Sequence, residues 1–155
     1  MDKKQYLNSL PCKRISSGAI IFSQKGELLM VKPSYKDYWS IPGGVVEKNE
    51  SPYQACIREG LEEIGIKVRI RKLLSVIYQY RNELDDESIQ FHYLCFPLSK
   101  IQIKKIKLAK DEIEDYKYVK VKDVPKYNQR FAERAIKYAK IAKFDTINNY
   151  FEDIF

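Results

Sequence analysis

Two short apolar runs stand out early in the chain. SSGAIIF (16–22) and ELLMVK (27–32) are rich in Ile, Leu and Val, and the SQKG between them ends on Gly26. This pattern predicts a β-hairpin. DYWSIPGG (37–44) breaks the regularity, because Pro42 and two glycines interrupt any helix or strand. A helix follows over residues 52–64. Ser51 suits its N-cap, Pro52 its first turn and Gly65 a left-handed C-terminal residue. KVRIRKLLSVIYQYRN (67–82) and ESIQFHYLCFPLS (87–99) read as two longer strands joined by a polar linker. DYKYVKVKDVP (115–125) alternates Tyr118, Lys120 and Lys122 with Val119 and Val121 and reads as one more strand. NQRFAERAIKYAKIAK (128–143) places Phe131, Ala135, Tyr138 and Ala142 at helical spacing, and TINNYFEDIF (146–155) is expected to close the chain as a short helix. With no repeat or linker in sight, residues 1–155 are expected to form one domain. Its class is α/β, or α+β, with a mixed sheet and helices on its faces.

The helix over 52–64 carries the most informative polar pattern. On a wheel of about 100° per residue, Tyr53, Ile57, Leu61 and Ile64 share one stripe. Glu59, Glu62 and Glu63 fall nearly opposite, with Cys56 beside them. The expectation is a buried apolar face and an exposed acidic one. Acids three or four apart repel each other, so something must compensate. Three hard oxygen ligands within one turn suit Mg²⁺ or Mn²⁺. Arg58, one turn before Glu62, has two readings. It either holds Glu62 or Glu50 bidentately and aims a ligand, or it forms an ordinary surface ion pair.

Composition changes this picture in three respects. The chain is 155 residues long, 45% hydrophobic and 13% aromatic, enough for a core of its own. Membrane association is not expected, because no run of eighteen apolar residues occurs, nor is a signal peptide, because no apolar segment follows the basic start. Cys12, Cys56 and Cys95 are odd in number and form no CxxC pair, which suits a reducing, cytoplasmic setting. Net charge is +7, and lysines crowd residues 100–126. That segment either attracts nucleotide or RNA phosphates or is a solvated face. The solvated face is favoured, because no aromatic interleaving of a nucleic-acid motif is present.

The stretch GGVVEKNESPYQACIREGLEEIGI (43–66) resembles the signature of the Nudix hydrolases. Gly44, Glu50, Arg58, Glu59, Glu62, Glu63, Gly65 and Ile66 fill the matching places, accompanied by Pro42, Gly43 and Glu47. One position departs, since Gly60 stands where a larger apolar residue is usual. The resemblance implies an α/β/α sandwich and a divalent-metal-dependent pyrophosphohydrolase. Its substrates would be nucleoside diphosphates linked to another group. Carried over by position, Gly43, Glu59, Glu62 and Glu63 would ligate Mg²⁺ or Mn²⁺. Arg58, Glu50 and Gly44 would support them, and Glu62 would be a further ligand or an acid–base group. The general base is open between Glu59 and two glutamates before a late strand, Glu112 and Glu114.

Arg14 is a candidate phosphate contact, and Trp39, with Tyr38 and Tyr35, a candidate for stacking on a base. Tyr80, with Tyr78 in the strand after the box, is a candidate substrate contact, although dinucleoside polyphosphate hydrolases carry their tyrosine a little further on. His92, the only histidine, is expected to be partly buried and structural. Free nucleoside triphosphates, damaged ones included, are the first expected substrate and RNA 5′ ends the second. A non-catalytic nucleotide-sensing module is the third reading, although every acidic box position is retained.

Overall fold

A computed structural model describes residues 2–144 and 150–154. After helix α1 (Lys3–Ser9) come strands β1 (Arg14–Ile20), β2 (Leu28–Pro33) and β3 (Gly43–Val45), then helix α2 (Pro52–Ile64). Strands β4 (Ile70–Arg81) and β5 (Asp86–Cys95) follow, then α3 (Lys100–Lys104), β6 (Ile113–Val119), α4 (Ala132–Phe144) and β7 (Tyr150–Ile154). A mixed sheet has the order β3-β1-β5-β4-β7, and β2 and β6 form a second, two-stranded sheet.

The continuous apolar runs of β1 and β2 are explained by cover on both faces. Ala19, Ile21, Leu29 and Val31 pack with Cys56 and Ile64 of α2. Their neighbours Ile20, Phe22, Leu28 and Met30 pack with Ala135, Tyr138 and Ile141 of α4. Each strand therefore feeds two cores, one under each helix, which is the α/β/α arrangement expected of the sequence.

Three expectations change. The turn at 23–27 forms, with Gly26 at φ 77° and Ser23 N–H donating to the Glu27 carbonyl at 2.7 Å. The hairpin, however, is limited to the bridge between Phe22 and Leu28 and the bond from Leu29 N–H to Ile21 O. Both edges of β1 are already taken, by β3 antiparallel and β5 parallel, so β2 leaves to pair with β6. The strand expected over 115–125 ends at Val119, and residues 121–126 form a 3₁₀ turn. Pro125 there has no N–H to give to a ladder. Of the expected C-terminal helix, residues 150–154 instead form β7, parallel to β4; the rest lies outside the described residues. The second edge of the long strand β4 offers backbone partners that a single helical turn cannot supply.

Helix α2 is capped as its sequence implies. Ser51 and Gln54 form a capping box, and Gly65 lies at φ 69° and donates to Leu61 O. Its buried face keeps only Ile57 and Ile64 of the predicted stripe. Leu61 is 54% and Tyr53 49% exposed, whereas Cys56, Gly60, Glu63 and Ile64 are buried. Small residues decide this rotation. A Cβ on Gly60 would stand 2.8 Å from Val68 Cγ1 and 3.1 Å from Ile66 O. Glycine thus lets the helix close onto the chain that follows it, which offsets its poor helix propensity.

Gly60→Ala is expected to destabilise the fold by about 1–3 kcal/mol through overpacking, despite alanine's better propensity. Equilibrium urea unfolding of Gly60→Ala, Val68→Ala and the double variant checks this. The double variant should recover part of the loss, and independent additive losses would refute the packing account.

Candidate active site

The site is built where α2 faces β3. Gly43 at φ 155° lies so close to β1 that a Cβ would stand 2.2 Å from Ser17 O and 2.7 Å from Gly18 Cα. Its N–H therefore points to the helix and donates to Glu63 Oε2 at 2.9 Å. A Cβ on the next residue, Gly44, would stand 2.3 Å from Glu59 Oε1. The two glycines thus leave room for two carboxylates against one stretch of backbone. Ser17 Oγ donates to the Pro52 carbonyl at 2.6 Å and ties β1 to the start of the same helix.

Arg58 organises the other acids. Its Nε and Nη2 grip Glu50 at 2.8 and 3.0 Å, and Nη1 reaches both Glu59 Oε1 and Glu62 Oε2 at 2.8 Å. Nη2 also donates to Val45 O. Glu50 accepts the Glu47 N–H as well, and these bonds hold its carboxyl below the usual range. Arg58 is in turn held more firmly protonated by its carboxylates. Of the two readings, the bidentate positioning one matches this geometry. The partner is mainly Glu50, with Glu62 half exposed at the rim.

Burial acts oppositely on the inner pair. Glu63 is 4% exposed, and desolvation pushes its carboxyl up to about 7 despite the Gly43 bond. Desolvation also raises Glu59, against the pull of Arg58. Glu59 and Glu63 are thus turned inward, contrary to the sequence expectation, while Glu62 stays exposed as expected. Two desolvated carboxylates side by side gain from a shared cation. Their hard oxygens suit Mg²⁺ or Mn²⁺ in type. Among the described residues no three acidic, imidazole or thiol groups converge as a ready-made ligand shell, because Arg58 and Gly43 engage the carboxylates.

Glu112 and Glu114 separate clearly. The turn before β6 is tied to α2 by Ala109 N–H donating to Glu63 O, and to the β2–β3 loop by Ser34 N–H donating to Glu112 O. The Glu112 charge acts on Glu63, Glu59 and Tyr35, which share this corner. Glu114 instead faces Lys32, 3.8 Å away.

A cleft of about 760 Å³ opens beside Gly43 and Gly44 and crosses the sheet. Arg14 lines it and holds Asp86 through two bonds of 2.5 and 3.3 Å. Tyr35 and Tyr38 line it too. Trp39 does not, being packed edge-on to Tyr127 with Lys117 over its ring. Tyr80 points away and donates to Asp85, whereas its neighbours Gln79 and Arg81 face the cleft, as strand alternation requires. Tyr78 likewise bonds Glu87. His92 forms part of the floor, buried and structural, with Nδ1 2.7 Å from Tyr138 Oη. Burial and Arg134 depress it to about 3. Cys56 and Cys95 are buried neighbours in the core.

Sequence reasoning missed Arg81, Arg130 and Arg134, which line the cleft with Lys36 and Lys126. The i,i+4 spacing of Arg130 and Arg134 beside Tyr127 and Phe131 was the signal that could have found two of them. Of the lysine-dense segment 100–126, Lys126 lines the cleft, while the cluster at 104–107 lies elsewhere. Lys107 packs behind α2 against Gly65, and Lys104 and Lys105 do not line the cleft.

The family model described as "NUDIX domain" matches residues 13–139. A MutT-like protein of Streptomyces ambofaciens is 33% identical over 82 residues, 53% of this chain and 51% of its own. An RNA pyrophosphohydrolase of Hydrogenovibrio crunogenus is 43% identical over 54 residues, 35% of this chain and 33% of its own. The human diphosphoinositol polyphosphate phosphohydrolase 2 is 43% identical over 54 residues, 34% of this chain and 30% of its own. The chain thus spans between about a third and a half of the length of these curated relatives. The crystal structure of a MutT protein from Methanosarcina mazei Go1 superposes with a TM-score of 0.65 at 25% identity, covering 85% of this chain and 99% of that one. No helix among the described residues is long and apolar enough to cross a membrane.

Glu63 carries a pH signature in the metal-free protein. Its folded pKa, about 7, exceeds the ordinary 4.5, so its cost to folding is absent below pH 4.5 and grows as pH rises to 7. His92, depressed to about 3, changes stability in the opposite direction below pH 6.5. The difference between wild type and Glu63→Gln isolates the carboxyl. The variant should gain on wild type by up to roughly 2–3 kcal/mol between pH 4.5 and 8 in chelator. Denaturant unfolding at several pH values checks this, and a pH-independent difference would refute the desolvation.

Proposed function

The chain belongs to the Nudix family, and we propose that it is a divalent-metal-dependent hydrolase of nucleotide-type phosphoanhydrides. One observation carries the reading. Glu59 and Glu63 are desolvated side by side against the Gly43–Gly44 backbone, at the end of a cleft with cationic walls. Carboxylates alone would repel a pyrophosphate, and a cationic cleft alone would bind but not cleave it.

Glu59 and Glu63 would hold the Mg²⁺ or Mn²⁺, with the Gly43 carbonyl and Glu62 completing the set. Such a cation neutralises phosphate oxygens and lowers the pKa of bound water. The remaining roles belong to the chain itself. Arg58, anchored on Glu50, aims Glu59 and Glu62. Gly44 keeps the Glu59 carboxyl at the backbone. Lys36, whose charge acts on Glu63, supplies a cation at the reacting end. Glu112 faces the same corner and takes the proton of the attacking water; Glu114, engaged with Lys32, is the poorer candidate. Free nucleoside triphosphates are the first substrates to test, with RNA 5′ ends next. The buried thiols suit a reducing, cytoplasmic setting.

Turnover of a nucleotide panel, followed as released phosphate or pyrophosphate, should require Mg²⁺ or Mn²⁺ and stop in chelator. Glu59→Gln and Glu112→Gln should each lower kcat by about 10²–10⁴-fold, with little change in the denaturation midpoint. Full activity in chelator, or in Glu59→Gln, would reject the metal-dependent reading. Wild-type kcat in Glu112→Gln alone would move the base to Glu59.

A further inference from the structure

The charges lining the cleft are unevenly placed. Lys36 stands at the glutamate end, where its charge reaches Glu63. The remaining lining cations, Arg14, Arg81, Lys126, Arg130 and Arg134, come from the other walls, and among the described residues no acidic side chain lines the cleft. Strand register gives the scale. Gly44, Ser17, Phe91 and Val76 lie in one row across β3, β1, β5 and β4, and Arg81 is five residues further along β4. Three strand spacings and five residues put Arg81 about 20 Å from Gly44. Arg14 and Arg81 share one acid, Asp86, which both hold ionised. Asp86 offsets one of their two charges. Arg134 lies near the floor, close enough to His92 to disfavour its protonation, and over the Phe131 ring. The Arg81 Nε is buried without a hydrogen-bond partner. The lining also includes aromatic and amide side chains, among them Tyr127 and Gln90, with Tyr38 close to Lys36.

A free nucleoside triphosphate does not use such a layout fully. Its charge is gathered on consecutive phosphates at one end, and its other end is a neutral base. Tyr38 and Tyr127 could receive that base by stacking, and the arginines beyond would meet no phosphate of the substrate. We propose that the far end of the cleft is an anion subsite that binds a phosphate carried by the substrate beyond the anhydride being cleaved. The inference rests on Glu59 and Glu63 marking the reacting end. Arginine suits the role, since its guanidinium stays charged and grips phosphate oxygens in a bidentate fork. The phosphate has two chemical sources. It is either the first phosphodiester of an RNA whose 5′ end is cleaved or a phosphomonoester on a small polyphosphorylated molecule.

The test compares kcat/KM, with Mg²⁺, for GTP, for a 5′-triphosphorylated dinucleotide beginning with G, and for an inositol pyrophosphate. A substrate with a remote phosphate should exceed GTP by at least about tenfold, the contribution of one charge-assisted hydrogen bond. Arg81→Gln and the exposed Arg14→Gln should each shrink that advantage. A gain confined to the dinucleotide identifies the phosphodiester, and one confined to the inositol compound identifies the phosphomonoester. Equal turnover of all three substrates, with ratios unmoved by the variants, overturns the subsite. Anisotropy titration of a fluorescent 5′-phosphorylated trinucleotide in chelator gives a readout independent of chemistry. Its salt slope should flatten by about 0.7 for each arginine–phosphate pair that a variant removes. Flattening without any hydrolysis would sink the hydrolase reading and keep the subsite. An unchanged slope would sink the subsite whatever the enzyme cleaves.

Discussion

The bond from Gly43 N–H to the Glu63 carboxyl is the interaction on which the rest of the site depends. It joins the helix carrying the acids to the short strand whose backbone faces them. Three surrounding choices serve it. Glycine at 43 lets β3 approach β1 closely enough to aim the N–H. Glycine at 44 leaves space for the second carboxyl, Glu59. Glycine at 60 lets the helix settle against Val68. A Cβ would meet Ser17 and Gly18 of β1 at position 43, the Glu59 carboxyl at position 44, and Val68 and Ile66 at position 60, so each would disturb a different contact that holds helix and strand in place. The carboxylates would then gain water and lose the desolvation that distinguishes them from ordinary surface acids.

The two halves of the site are held by different physics. On the acidic side, Arg58 distributes one positive charge over Glu50, Glu59 and Glu62, so these three carboxylates are positioned by directional bonds. On the cationic side, charge is distributed by fold topology, with β1, β4 and the segment entering α4 each contributing arginines. The first arrangement fixes atoms to within a hydrogen bond. The second sets a field over a longer path, suited to a flexible anion.

This difference explains what was legible in the sequence. The acidic half lies within residues 43–66, where helical spacing places Arg58, Glu59, Glu62 and Glu63 in known relation, and the capping of α2 by Ser51 and Gly65 followed from local rules. Hydrophobic periodicity held only in part for the helix's buried face, because Gly60 and Cys56 pack closely while the larger Leu61 and Tyr53 stay outside. Size at the contact outweighed hydrophobicity. The hairpin was overread because a strand has two edges, and the partners filling those of β1 come from residues 43–45 and 86–95. The cationic half was not legible, since Arg14, Arg81, Arg130 and Arg134 are distant along the chain and meet only through the fold. Lysine density is no guide to the cleft, since of the segment 100–126 only Lys126, at its end, lines it.

The buried polar chain beneath the cleft has a use in spectroscopy. Ser75 Oγ, Tyr138 Oη and His92 Nδ1 run from β4 through α4 to the cleft floor, at 2.5 and 2.7 Å. His92 is the chain's only histidine. Isotope labelling of histidine alone therefore yields a single imidazole spin system, free of overlap. Because that ring stays neutral through the physiological range, its chemical shift reports geometry and occupancy instead of protonation. The protein carries its own resonance label where a ligand in the cleft meets the packed interior.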